Sequence, residues 1–118
     1  MFRIIICGGR NFSNYPLLKE RCTYFLSKKR KEDIVIICGK ANGADTLGEK
    51  FAKENNYKIE YFPANWEKYG KSAGFIRNKE MVDIADGVIA FWDGKSKGTK
   101  NTIELSKQKN IPVKIVYY

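Results

Sequence analysis

The sequence predicts an α/β protein whose five strands form a mostly parallel sheet with helices on both faces. Short apolar runs alternate with stretches in which apolar residues recur at helical spacing. Most of these runs are apolar throughout, which is typical of strands that are buried on both faces. A helix between consecutive strands makes a right-handed crossover, so neighbouring strands are expected to run parallel.

The apolar runs and the turn residues between them place the elements. Residues 67–74 form a longer polar loop in this prediction. The predicted strands cover residues 2–7, 34–38, 58–62, 88–92 and 112–117. The predicted helices cover residues 16–26, a stretch from Leu47 to Ala52, residues 75–84, and the residues that follow Thr99.

Length and composition predict one domain, residues 1–118, in the cytoplasm. A chain of 118 residues can bury one core, and 43% hydrophobic and 30% charged residues are ordinary values for a globular protein. No apolar run approaches the roughly 18 residues of a membrane span, and the first strand lacks the features of a signal peptide. The three cysteines show no paired spacing, which favours buried thiols over disulfides or a zinc site.

The charged residues restrict both chemistry and partners. Because the chain has no histidine, His-based acid–base catalysis, Ser–His and Cys–His nucleophiles and the usual His metal sites are excluded. An enzyme built from this chain would use carboxylates, arginine, lysine or tyrosine. The 22 Lys and Arg residues exceed the 13 Asp and Glu residues and give a net charge of +9. This favours an anionic partner, either a small phosphorylated ligand or a nucleic-acid backbone.

Glycine-containing turns follow the first, second and fourth predicted strands. The carboxyl ends of parallel strands lie at one edge of a sheet, so these three turns are expected to meet. A helix that starts after such a turn offers unpaired amides and the positive end of its dipole, and both favour a phosphate. The alternative is that the glycines serve turn geometry alone. The glycines of the turns are Gly8, Gly9, Gly39, Gly43, Gly94 and Gly98.

Three charged side chains near these turns are candidates for ligand contact. The Arg10 guanidinium could bind a phosphate through two hydrogen bonds. Arg77 lies in the first turns of a helix, where a cation is unfavourable unless it reaches an anionic partner. Asp45 either caps the helix it begins or accepts a hydrogen bond from a ribose hydroxyl, and capping is the favoured interpretation.

Aromatic residues in the loops, Phe12, Trp66 and Tyr69, could stack on a base or pack over the sheet edge. The predicted ligand-binding residues come from all three turns and the helices around them. They are Gly8, Gly9, Arg10, Gly39, Asn42, Gly43, Ala44, Asp45, Trp66, Arg77, Asn78, Asp93, Gly94, Gly98 and Thr99.

The order of the motifs resembles one protein family. The motifs occupy residues 8–12, 39–45, 62–66 with 69–74, 76–81 and 85–91. In this order they resemble the YspA-type, cpYpsA-related branch of the SLOG superfamily, which also contains the LOG phosphoribohydrolases and the DNA-processing protein DprA. The resemblance implies a Rossmann-like three-layer fold and a SLOG-type site for a nucleotide or nucleotide-derived molecule. It also implies that Arg77 matches an arginine of the LOG site.

The resemblance does not extend to the glutamate that LOG enzymes use with this arginine to break an N-glycosidic bond. That glutamate lies three residues after a Gly-Thr pair, and the corresponding position here is Thr102. Glu104 lies about 200° further round the helix, at roughly 100° per residue, so it should face away. Asp93 and Asp45 are the carboxylates left for such chemistry, and with Arg77 they are the catalytic candidates.

Three functions follow, in order of preference. The first is a sensor, carrier or sequestering protein that binds a nucleotide-derived molecule at the C-terminal edge of the sheet. The second is a hydrolase of an N-glycosidic or phosphate bond in such a molecule, and the third is a single-stranded nucleic-acid binder. No cofactor is certain and no membrane partner is expected, although magnesium would suit a phosphorylated ligand. The aromatic pair Tyr117–Tyr118 could support a homo-oligomer.

Overall fold

Five parallel strands and five helices make up the structure. The computed structural model describes all residues, Met1–Tyr118. The strands are β1 (Phe2–Gly8), β2 (Ile34–Cys38), β3 (Lys58–Tyr61), β4 (Gly87–Trp92) and β5 (Val113–Tyr117). The helices are α1 (Tyr15–Leu26), α2 (Ala44–Glu54), the short α3 (Trp66–Tyr69), α4 (Ala73–Ile84) and α5 (Lys97–Gln108).

The strand order is β3-β2-β1-β4-β5, and every pair of neighbours is parallel. The chain adds β2 and β3 on one side of β1, then crosses over to build β4 and β5 on the other side. The direction of winding therefore reverses between β1 and β4, where Gly8 lies opposite Phe91. In open sheets of this kind the ligand crevice lies beyond the carboxyl ends of the strands at such a reversal.

Helices cover both faces of the sheet, as the apolar runs predict. Alternate side chains of β1 enter two cores: Ile4 and Ile6 pack with α1 and α2, whereas Ile5 and Cys7 pack with α4 and α5. The central strands β1, β2 and β4 are almost wholly buried, but the edge strands β3 and β5 are partly exposed. The architecture is thus the predicted Rossmann-like three-layer sandwich, with full burial limited to the inner strands.

Helices α2, α4 and α5 all begin earlier than the sequence predicts, and α2 starts at Ala44 instead of Leu47. The stretch 67–74, predicted as a loop, contains most of α3 and a 3-10 turn, and α4 starts at Ala73 instead of Phe75. The Asn65 side chain starts α3 by accepting a hydrogen bond from the Lys68 amide at 3.1 Å. Helix α5 starts at Lys97, because Ser96 caps it, so Gly98 lies in the first helical turn and not in the preceding loop. No helix has both the length and the apolar character needed to cross a membrane.

Candidate functional site

A pocket of about 500 Å³ opens at the reversal point between β1 and β4. Its walls come from the turn after β1, the start of α2, helices α3 and α4, and the β4–α5 turn with the start of α5. The charged side chains in its lining are Arg10, Asp45, Lys71, Arg77 and Asp93. The structure therefore brings together residues from all three predicted turns.

Arg77 is the most buried charged group of the pocket after Asp45, with 9% of its surface exposed. Its Nε donates to the Asn78 side chain at 3.0 Å, and its Nη1 donates to the carbonyl of Gly39. Its Nη2 donates to no protein acceptor. Since no buried side-chain nitrogen or oxygen lacks a partner, Nη2 must be accessible from the pocket. Arg77 is therefore fixed by two hydrogen bonds and keeps one nitrogen free for an anion.

Asp45 faces Arg77 across the turn after β2. A β-carbon added to Gly39 would lie 2.8 Å from both Asp45 Oδ2 and Arg77 Nη1, so any larger residue at this position would displace these side chains. The prediction that Asp45 caps α2 is wrong: the capping residue is Gly43, and Asp45 accepts a hydrogen bond from the Ala41 amide at 3.2 Å. Burial raises the pKa of Asp45 to about 6, against the lowering effects of the Ala41 amide, Arg77 and Arg10.

Asp93 organises the β4–α5 turn. Its Oδ1 accepts hydrogen bonds from the amides of Lys95 and Ser96, both at 2.8 Å, and these bonds lower the pKa of the Asp93 carboxyl. Gly94 has φ +84, which suits its place in the turn, and it is not part of the pocket lining, so the pocket gives no support to its predicted ligand contact. The amides predicted to bind an anion in this turn are thus partly occupied by the protein's own carboxylate. Gly98 and Thr99 do line the pocket.

The start of α2 is also partly used by the chain itself. The Ala44 amide donates to the Gly9 carbonyl at 3.2 Å, and Ala44 is fully buried. A β-carbon on Gly43 would lie 2.3 Å from the same carbonyl oxygen. Gly43 and Ala44 line neither of the two pockets, so the pocket geometry gives no support to their prediction as ligand contacts. Their role is to join the turn after β1 to the turn after β2.

A smaller pocket of about 350 Å³ adjoins the first. Four residues line both pockets: Arg10, Ala41, Trp66 and Arg77. Three residues of the turn after β2 line the smaller pocket alone: Lys40, and Gly39 and Asn42 from the predicted set. Its charged residues are Arg10, Lys40 and Arg77, and it has no carboxylate.

The three loop aromatics have different environments. Trp66 is 52% exposed and lines both pockets, so one part of its indole is free to stack on a ligand. Phe12 is buried and stacks on Phe91 with ring centroids 4.9 Å apart, so the sheet-edge interpretation is correct for it and base stacking is wrong. Tyr69 lines neither pocket.

Several pocket residues were absent from the predicted set. Cys7, Phe75, Met81 and Thr102 line the larger pocket because the end of β1 and helices α4 and α5, and not only turns, contribute to its lining. Burial raises the pKa of the Cys7 thiol, so it is unsuited to act as a thiolate nucleophile. The remaining members are Asn11, Ala41, Lys71, Gly74 and Ser96. The sequence offered one signal for Asn11, Ala41 and the start of α4. These residues lie next to or near the predicted site residues Arg10, Asn42 and Arg77.

The orientations predicted for Thr102 and Glu104 on helix α5 are confirmed, with Thr102 at the pocket and Glu104 facing away. Thr102 is buried at the pocket, where its hydroxyl donates to the Gly98 carbonyl at 3.4 Å. Glu104 is exposed and lies 3.7 Å from the Lys100 ammonium. No group of three or more Cys, Asp or Glu side chains is arranged to hold a metal ion.

The fold and the pocket define a Rossmann-like α/β protein with a crevice at its topological switch point that holds both apolar and charged residues. Residues 2–69 match the profile of the YspA, cpYpsA-related SLOG family, also called YAcAr. The Gene 61 protein of Mycobacterium phage D29 is 31% identical over 119 aligned positions, which cover 96% of this chain and 94% of that protein. The chain therefore belongs to the YspA, cpYpsA-related SLOG family.

Solved structures share the fold at lower identity. The structural-genomics target TM1055 superposes with a TM-score of 0.69 at 19% identity, over 96% of this chain and 72% of that chain. DNA processing protein A from Helicobacter pylori, described as binding single-stranded DNA, gives a TM-score of 0.65 at 19% identity. That alignment covers 97% of this chain and 64% of the other. At this identity the two likenesses establish the fold alone.

Proposed function

We propose that this protein binds a nucleotide or nucleotide-derived small molecule at the C-terminal edge of the sheet, as a sensor, carrier or sequestering protein. The observation that carries the proposal is the convergence of Arg10, Arg77 and Trp66 on two adjoining pockets at the switch point. The arginines supply donors for phosphate, and the half-exposed indole supplies a face for a base. Membership of the SLOG family supports the same ligand class.

The geometry favours binding over a dedicated hydrolytic site. The position of the LOG glutamate is Thr102, and the Asp93 carboxylate is hydrogen-bonded within its own turn. Asp45 is the one pocket carboxyl that is buried and carries a raised pKa. This single feature supports the second candidate, a hydrolase of an N-glycosidic or phosphate bond in which Asp45 is the acid.

The decisive experiment is mass spectrometry of small molecules released from the purified and then denatured protein. We expect one nucleotide or nucleotide derivative in stoichiometric amount. The Arg10→Ala variant should lose it, because Arg10 is exposed, makes no ion pair, and lines both pockets. A protein that releases no nucleotide, and binds none when a nucleotide panel is added, would contradict the proposal.

Arg30→Ala is the matched control. It removes the same charge, but Arg30 precedes β2 and so lies at the opposite edge of the sheet, where it pairs with Asp33. We expect this variant to retain the nucleotide. Turnover of the recovered nucleotide that vanishes in Asp45→Asn while binding persists would favour the hydrolase.

A further inference from the structure

We infer that the two adjoining pockets divide the ligand, with the nucleoside in the larger pocket and its phosphate groups in the smaller one beside the turn after β2. The inference rests on the proposed function and adds to it the position of the anionic part. The shared wall of Arg10 and Arg77 is then where the two parts of the ligand join.

The distribution of charge separates the pockets. The smaller one is lined by Arg10, Lys40 and Arg77 and by no acidic side chain. The larger one has Asp45 and Asp93 beside its cations. A phosphate placed in the larger pocket approaches two carboxyl groups, whereas the lining of the smaller pocket holds none, and Glu49, which pairs with Lys40 at 3.2 Å, lies outside that lining. Electrostatics therefore favours the smaller pocket for the phosphate.

Hydrogen-bond donors are available at the smaller pocket. The Asn42 amide donates to no protein acceptor, and Arg77 Nη2 is also free. In the β4–α5 turn the amides of Lys95 and Ser96 donate to Asp93, and the Thr99 amide donates to Ser96 Oγ at 3.5 Å. Free amides also lie at the larger pocket, on Asn11 and Gly98, so the charge of the lining and not the supply of donors separates the two pockets.

Lys40 is held in place at the smaller pocket. Its backbone adopts φ +61, a left-handed conformation that is unfavourable for a lysine. Its ammonium lies 3.2 Å from Glu49 Oε1 and 5.0 Å from the centre of the Tyr61 ring. Tyr61 in turn donates to Glu49 Oε2 at 2.7 Å. These contacts position one cation beside the cavity and leave other ammonium protons available to a phosphate.

The test is a titration of the full chain with inorganic pyrophosphate, a probe that needs no knowledge of the base, followed by amide chemical shifts in NMR. We expect the largest shifts at residues 39–42 and Arg10. The Lys40→Gln variant should bind pyrophosphate about tenfold more weakly, because one charge-assisted contact is lost.

Lys53→Gln is the matched control, since Lys53 also pairs with Glu49 at 3.2 Å but lines neither pocket. Its affinity for pyrophosphate should stay within about twofold of the parent. Shifts centred on residues 94–99, equal losses in the two variants, or no pyrophosphate binding would each overturn the inference. A co-purifying nucleotide whose retention is insensitive to Lys40→Gln would leave the proposed function intact and reject this placement of the phosphate.

Discussion

Asp45 is a buried carboxyl near two arginines that makes a salt bridge to neither. Only 6% of its surface is exposed, and its hydrogen-bond donor is the Ala41 amide. Burial disfavours the charged form more than Arg77 and Arg10 favour it, so the pKa rises from 3.8 to about 6. A neutral Asp45 also repels a bound phosphate less than an ionised one. The protonation of Asp45 therefore connects pH to stability and, under the proposed function, to ligand binding.

We predict that Asp45→Asn stabilises the protein at neutral pH. A raised pKa means that the folded state binds more protons than the unfolded state between pH 3.8 and about 6, so this carboxyl reduces stability as the pH rises through that window. The full shift corresponds to about 3 kcal/mol as an upper limit, and the Asn side chain can still accept from the Ala41 amide. Urea denaturation should show a gain of about 1–3 kcal/mol at pH 7.5 and little difference near pH 4.

Asp93→Asn is a control in which the expected change in stability at neutral pH has the opposite sign. The amides of Lys95 and Ser96 lower the pKa of the Asp93 carboxyl, so it contributes stability above its unfolded pKa, and that contribution is lost as the pH falls through the folded pKa. The variant should lose stability at neutral pH. If Asp45→Asn destabilised the protein more at pH 7.5 than near pH 4, the carboxylate would be favoured by the arginines and the assigned pKa direction would be wrong.

At the scale of elements, the junction between the turn after β1 and the start of α2 shapes the pockets. Gly43 has φ +75 and lies against the Gly9 and Arg10 carbonyls, while the Ala44 amide donates to the Gly9 carbonyl. The Gly9 carbonyl also accepts from the Phe12 amide at 3.2 Å. One carbonyl thus joins two turns, and the position of Arg10 depends on this contact.

We predict that Gly43→Ala destabilises the protein more than Gly94→Ala does. Both glycines have positive φ, +75 and +84, so each variant costs about 1 kcal/mol for backbone conformation. A β-carbon at Gly94 meets nothing within 4 Å, whereas one at Gly43 lies 2.3 Å from a backbone oxygen. Displacing that backbone should cost roughly 2 kcal/mol more. Chemical denaturation of the two variants measures the difference in the free energy of unfolding. Equal losses of stability would show that the backbone near Gly43 can move aside without an additional free-energy cost.

At the scale of the whole molecule, the net charge of +9 attracts anions. Lys53, Lys79 and Lys100 each pair with a carboxylate, which reduces their contribution to a nucleic-acid surface. The two pockets gather Arg10, Arg77, Lys40 and Lys71 at one edge of the sheet. We therefore expect a small anionic ligand to bind better than a long polyanion.

We predict that binding of an oligothymidylate is weak and strongly dependent on salt. Its affinity should fall by more than about tenfold between roughly 50 and 200 mM salt, because each neutralised phosphate releases a counterion. The co-purifying nucleotide should be retained over the same range, since buried Arg77 is screened less than surface lysines. Fluorescence anisotropy and mass spectrometry after dialysis measure the two. Tight, salt-resistant oligonucleotide binding with loss of the nucleotide would favour the nucleic-acid function.

The local pattern of apolar residues in the sequence was sufficient to predict the strands and helices that are regular and buried. The apolar runs located all five strands within a residue or two, and the apolar spacing located the long helices. The start of α5 was displaced because Ser96 competes with Thr99 as a cap, and both have suitable side chains. The short α3 was missed because four residues are too few to show helical periodicity.

The sequence by itself determined the class of the fold, the absence of histidine chemistry, and the edge of the sheet at which polar residues gather. It did so because strand burial and turn position are local consequences of residue type. Only the tertiary structure decided the order of the strands, the side chain that Asp45 faces, and which turn amides stay free. Those depend on contacts between residues far apart in the chain, such as Arg77 with Gly39 and Ala44 with Gly9. In the folded chain Asp93 accepts a hydrogen bond within its own turn, and Gly43 joins the turn after β1 to the turn after β2. Arg10, Arg77 and Lys40 line the same pocket.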